Sequence, residues 1–147
     1  MTDTAQRSSG PAPANETSYN PIAGETFPIG TPVCPSADDD GVVVPAKGIS
    51  SATNATGIAA TPGVEGQPVR VQFAGVLELT RAQWDPIIEE NDQLGLVKSA
   101  PYFLKAGFGS GKLTRTAPSS GGTFAAPMGV GLSATELLIR VDPPSEN

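Results

Sequence analysis

Glycine and proline punctuate this chain so densely that few segments run far without one. Seventeen glycines and fifteen prolines make 32 of the 147 residues. Because each weakens a helix interior by about 1 kcal/mol (Gly) or about 3 kcal/mol (Pro) relative to alanine, long helices are excluded. The intervals between them are short apolar runs rich in β-branched residues, recurring every eight to twelve residues or so from Phe27 onward, which is the pattern of an all-β domain. Candidate strands are Pro32–Pro35, Gly41–Pro45, Gly57–Thr61, Pro68–Leu79, Leu94–Leu96, Tyr102–Lys105, Lys112–Thr116, Pro127–Ala134 and Glu136–Val141. Val69, Val71 and Phe73 share one face of a period-two strand, with Arg70 and Gln72 on the other, as in a half-buried antiparallel sheet.

One short helix is predicted after Leu79. Thr80 is an N-cap residue, and Gln83, three positions on, completes a capping box around Arg81-Ala82-Gln83-Trp84. Pro86 stops that helix, and Trp84 is read as an apolar plug for the core. The fold expected is a small β-barrel or β-sandwich with one short helix, spanning residues 27–147.

Residues 1–26 differ in texture: from Gly10 to Asn20 only Ala and Tyr19 have any apolar surface to bury. Such a segment alone does not offset its own ordering entropy, so it is read as an extended N-terminal arm. Acidic residues concentrate toward that end, with Asp3, Glu16, Glu25, Asp38, Asp39 and Asp40 against Arg7 over the first forty positions.

Several function classes are excluded by residues the chain lacks. It has no histidine, so hydrolase triads lose their usual base and zinc sites a common ligand. Its single cysteine, Cys34, closes no internal disulfide and has no Lys or Arg within four residues to activate it, so it reads as a small apolar side chain. A net charge of -6 is the wrong sign for neutralising phosphates, and nucleic acid is not an expected partner. No apolar run reaches the length of a membrane helix, and the first thirty residues hold no signal-peptide core; synthesis in the cytoplasm and no membrane partner are expected.

Other motifs have plain structural explanations. Gly107-Phe108-Gly109-Ser110-Gly111-Lys112 lacks the leading Gly and the trailing Ser or Thr of a phosphate-binding loop, since Ala106 and Leu113 stand there, and reads as a hairpin connection. Asp38-Asp39-Asp40-Gly41 lacks calcium-loop spacing and reads as a solvated turn. Glu89, Glu90 and Asp92 form an acidic patch without the aromatic groove of a glycosidase. The sequons at Asn15 and Asn54 are treated as coincidental. No catalytic residue, cofactor site or metal site is predicted.

Four segments carry a family resemblance: Leu79-Thr80-Arg81-Ala82-Gln83-Trp84-Asp85, Leu96 through Leu104 with its Pro101-Tyr102-Phe103-Leu104, Gly111-Lys112-Leu113-Thr114, and Pro127-Met128-Gly129-Val130-Gly131-Leu132-Ser133 running on to Ile139. In that order they resemble a β module of tailed-bacteriophage head-fibre and tail-fibre chains. The upstream part, from Gly24 through Gly57-Ile58-Ala59 to Val76, is similar to capsid decoration (cement) proteins. Where that family has Gly-Gly-Leu after the tryptophan, this chain has the longer, acidic Pro86–Asp92. The resemblance implies a virion structural protein without enzymatic activity that binds the capsid exterior at junctions of the major capsid protein and contacts neighbouring copies of itself, as a homotrimer in one version.

Within the arm, Tyr19, Asn20, Pro21 and Ile22 are the expected partner-binding residues, Tyr19 and Ile22 being its sizeable apolar anchors. A chain lacking residues 1–26 is then expected to fold and to lose particle binding. Two other assignments fit less of the pattern: a homotrimeric phage fibre or baseplate component, and a carbohydrate- or receptor-binding module presenting Trp84, Tyr102, Phe103 and Phe108.

Overall fold

The computed structural model describes residues 17–36, 38–46, 55–90, 95–104, 111–116 and 127–141. They form two sheets and one short helix, in a sandwich-like arrangement, as the all-β reading predicts. The first sheet contains β1 (Ser18–Tyr19), β2 (Ile22–Ala23), β3 (Pro32–Pro35), β4 (Val42–Pro45), β5 (Gly57–Ala59) and β6 (Val71–Gln72), in the order β1-β6-β5-β3-β4-β2. The second contains β7 (Ala74–Glu78), β8 (Pro101–Leu104), β9 (Leu113–Thr114), β10 (Pro127–Gly131) and β11 (Glu136–Arg140), in the order β7-β11-β10-β8-β9. Every pairing is antiparallel except β2 with β4.

The first sheet curls around a core of its own. Ile22 bridges Pro68, Val69 N–H donates to the Pro21 carbonyl, and Ala23 N–H donates to the Gln67 carbonyl. Chain segment 18–23 is thereby bonded both to β4 and to the run leading into β6. Inside the curl, Ala23, Phe27, Val33, Val43, Ala59, Val69 and Val71 form one apolar cluster, with Tyr19 at its margin. The larger cluster lies between the sheets: Ala46 and Ile58 of the first half pack with Trp84, Ile87, Leu96, Tyr102, Leu104, Leu113, Met128, Leu137 and Ile139 of the second. Neighbouring Ile58 and Ala59 therefore point into different cores, as period two requires.

Pro68–Leu79, expected as one strand, changes sheets at Phe73. Gly75 adopts φ +84, a conformation glycine takes without penalty, and the Gln72 side-chain amide caps the Ala74 carbonyl at 2.9 Å. Leu94–Leu96 was expected to be a strand, but Gly95 and Leu96 belong to none; Leu96 is buried and its N–H donates to the Ala134 carbonyl.

The helix, α1, spans Arg81–Trp84. Thr80 accepts from the Gln83 N–H and the Gln83 side chain accepts from the Thr80 N–H, so both halves of the predicted capping box are made. Trp84 is fully buried. Around it, Leu79 and Leu96 N–H groups reach the carbonyls of Thr135 and Ala134, so three connections interlock at the turn between β10 and β11.

The arm boundary is corrected. Residues 1–16 lie outside the described residues, but 17–26, assigned to the arm for want of apolar side chains, supply two strands of the first sheet. Its order comes from main-chain partners: β1 pairs with β6, β2 with β4, and Gly24 N–H donates to the Val43 carbonyl. A side-chain inventory does not register those bonds.

Candidate partner-binding surface

The four residues singled out for partner binding are placed in sequence on one sheet segment, and three of them are engaged within the chain. Tyr19 is half-buried, its hydroxyl 2.6 Å from Thr56 Oγ1 and its ring 6.2 Å from that of Phe73. Pro21 is buried and Ile22 half-buried beside Val42; Asn20 alone is exposed. The structure argues against the expectation that residues 1–26 can be removed from a folded domain, because that cut takes β1 and β2 out of the first sheet and Ala23 out of the inner cluster.

The segments that carry the family resemblance supply much of the larger core. Leu79, Trp84, Leu96, Tyr102, Leu104, Leu113, Met128, Leu137 and Ile139 are all buried. Tyr102 turns its hydroxyl inward to accept from Val97 N–H at 2.9 Å, and the Trp84 indole donates to the Thr135 carbonyl at 2.9 Å. Gly129 and Gly131 lie so close to the carbonyls of Leu138 and Val97 that no Cβ fits at either. These motifs thus build the module's core, and they also present exposed residues such as Arg81, Pro101 and Leu132. Phe103 is half-buried, and Phe108 lies outside the described residues, as do Asn15 and Asn54.

The polar clusters read from sequence have local partners. Asp38, Asp39 and Asp40 are exposed, and the first two donate main-chain N–H groups to Ser36 Oγ. Among the described residues no group of three or more Cys, Asp or Glu is placed to hold a metal ion. Lys112 donates to the Pro86 carbonyl at 2.8 Å, along a cleft of about 190 Å³ between the sheets whose walls include Phe27, Pro28, Pro45, Pro86 and Ile87. Phe103 and Leu104 pair with Thr114 and Leu113, the hairpin pairing expected across the Gly-rich connection.

Sequence reasoning passed over one constellation, because Glu90 and Arg115 lie far apart in the chain. The Glu90 carboxylate accepts from Thr114 Oγ1 at 2.5 Å and from Arg115 N–H at 2.9 Å, with the Arg115 guanidinium Nε 3.9 Å away. Burial acts to raise this carboxyl's pKa, yet the bonds from Thr114 and the Arg115 main chain, helped by the guanidinium charge, hold it below the usual glutamate value. The arrangement fastens Thr114 of β9 to the chain beyond α1.

Large apolar side chains exposed on the described surface are Val64, Val76 and Leu132. No described helix is long and apolar enough to cross a membrane. Compared with known proteins, the sequence matches no family model and no curated protein.

Proposed function

We propose that this chain is a bacteriophage virion structural protein that decorates the exterior of the capsid, binding where major capsid protein subunits meet and performing no reaction. One observation supports this reading above the others: the four segments that resemble phage head-fibre and tail-fibre modules come together as one unit, in which α1 and the turn between β10 and β11 are joined through Trp84 and Thr135. A disulfide-free β module of this size suits display on a shell, where many copies bind through the same small surface and effective concentration multiplies a modest affinity.

Burial of Trp84 and Tyr102 removes two of the four aromatics that a sugar-binding platform would present, which favours the structural role over the carbohydrate-binding one. The tether in this proposal is residues 1–16, polar and ending at exposed Thr17. The test is binding to undecorated heads by the full chain and by a chain lacking residues 1–16. Particle binding by the full chain, reduced at least about tenfold by the truncation, is the expected result. Full-chain failure to bind would overturn the decoration role, and undiminished binding by the truncated chain would overturn the tether.

A further inference from the structure

The longest strand edge left open among the described residues belongs to β7. The opposite edge of its sheet is covered: Leu113 of β9 donates to the Ile87 carbonyl and accepts from Glu89 N–H, both at 2.8 Å. In the first sheet the ends are tied through Ile22 and Pro68, and among the described residues the two-residue β1 has no strand on its outer side. β7 is five residues long and, among the described residues, pairs with β11 alone.

Register shows which of its groups are free. Leu79 N–H donates to the Thr135 carbonyl, and that pair continues the β7–β11 register of Leu77 with Leu137 and Gly75 with Ile139. In an antiparallel ladder alternate residues bond to the same neighbour, so Gly75 and Leu77 face β11 while Ala74, Val76 and Glu78 turn their main-chain groups outward. The far side of β11 agrees, since Leu132 N–H donates to the Glu136 carbonyl and so sets the even-numbered residues of β11 toward β10. No described residue bonds to the outward N–H or carbonyl of Val76 or Glu78.

The side chains along this edge complement themselves. On the outer face Val76, 48% exposed, lies beside half-buried Leu138; Glu78 lies beside Glu136; and Ala74 lies beside exposed Arg140. A twofold axis through Val76 sets Ala74 of one copy opposite Glu78 of the other. The row across the join then reads Leu138–Val76–Val76–Leu138, and Arg140 of each copy faces Glu78 and Glu136 of its partner across a small alanine. Two main-chain bonds join the Val76 residues; beyond them the Ala74 carbonyl is already capped by the Gln72 side-chain amide, so it is the Ala74 N–H, donating to the partner's Glu78 carbonyl, that extends the ladder.

We infer that β7 is a self-association edge, on which a second copy of this chain adds its own β7 antiparallel and centred on Val76, extending the second sheet across both copies. This is strand addition, in which main-chain bonds supply affinity and side chains set register. It follows from the strand edge and does not rest on the virion reading. A five-residue edge buries less than the ~1,200 Å² of a stable interface, so association weaker than about 1 μM is expected in free solution.

Sedimentation equilibrium of the full chain from about 10 μM to about 1 mM tests it. The mean mass should climb from 14.9 kDa toward twice that value. Val76→Lys, which sets two like charges on the twofold axis, should stay at single-chain mass with an unchanged circular dichroism spectrum. Arg140→Glu should weaken association about fivefold, and Glu78→Arg in the same chain should restore it. A single-chain mass throughout, a threefold mass, or association that Val76→Lys leaves intact would overturn the inference.

Discussion

The indole N–H of Trp84 donates to the main-chain carbonyl of Thr135 across 2.9 Å, tying the one helix to the turn that joins β10 and β11. The ring lies wholly inside the larger core, so the donor has no water to fall back on. Trp84→Phe should cost about 1–3 kcal/mol, through one lost buried hydrogen bond and unfilled volume, the Thr135 carbonyl keeping its bond from Leu79 N–H, and Trp84→Ala about 3–5 kcal/mol. Thr135→Ser, which keeps the accepting carbonyl, serves as the mild control in urea denaturation.

The helix cap makes a separate prediction. Since Thr80 Oγ1 accepts from Gln83 N–H at 3.1 Å, Thr80→Ala should cost about 1 kcal/mol, whereas Thr80→Ser should be close to neutral. Thermal melts of the two variants, compared at equal pH, distinguish a cap from a merely exposed hydroxyl.

The N-terminal boundary predicts different fates for two truncations. Removing residues 1–16 leaves every described strand in place; removing 1–26 strips β1 and β2 from the first sheet. The first chain should melt within a few degrees of the full protein, and the second should show no cooperative transition. Tyr19→Phe, which deletes the hydroxyl bonded to Thr56, should cost about 0.5–1.5 kcal/mol.

Glu90 gives the fold a pH dependence with a definite sign. Its carboxyl is held below the usual glutamate value in the folded chain, so the folded state favours the ionised form more than the unfolded state does. The resulting stability is present above the unfolded pKa and is lost as pH falls through the folded one. Glu90→Gln should therefore flatten the acid limb of the stability profile, and Thr114→Val should flatten it in part, both read from urea midpoints between pH 7 and pH 3. Equal acid sensitivity in Glu90→Gln and the unaltered chain would assign that limb to other carboxylates.

Much of the framework was legible because its signals are local. Pro32–Pro35 and the Thr80–Gln83 box are sequence-adjacent features with a fixed geometric meaning, and both appear where expected. What escaped was decided at long range. Residues 17–26 look unable to fold because their partners, Val42 and Val71 among them, lie far along the chain. The break at Phe73 depends on the second sheet competing for the same run of residues. The Glu90–Arg115 contact and the open edge of β7 likewise depend on which strands neighbour one another, and alternation within a strand does not encode that. In sequence Tyr19 and Ile22 read as apolar anchors of an arm; in the fold they pack that apolar surface against their own sheet.

The most direct test of the virion role is quantitative mass spectrometry of purified particles from the source, counting copies of this chain against copies of the major capsid protein. A decorating protein should be present within a few-fold of one copy per capsid subunit. A handful of copies per particle would contradict shell-wide decoration in favour of a fibre or baseplate location, and complete absence would contradict a virion role altogether.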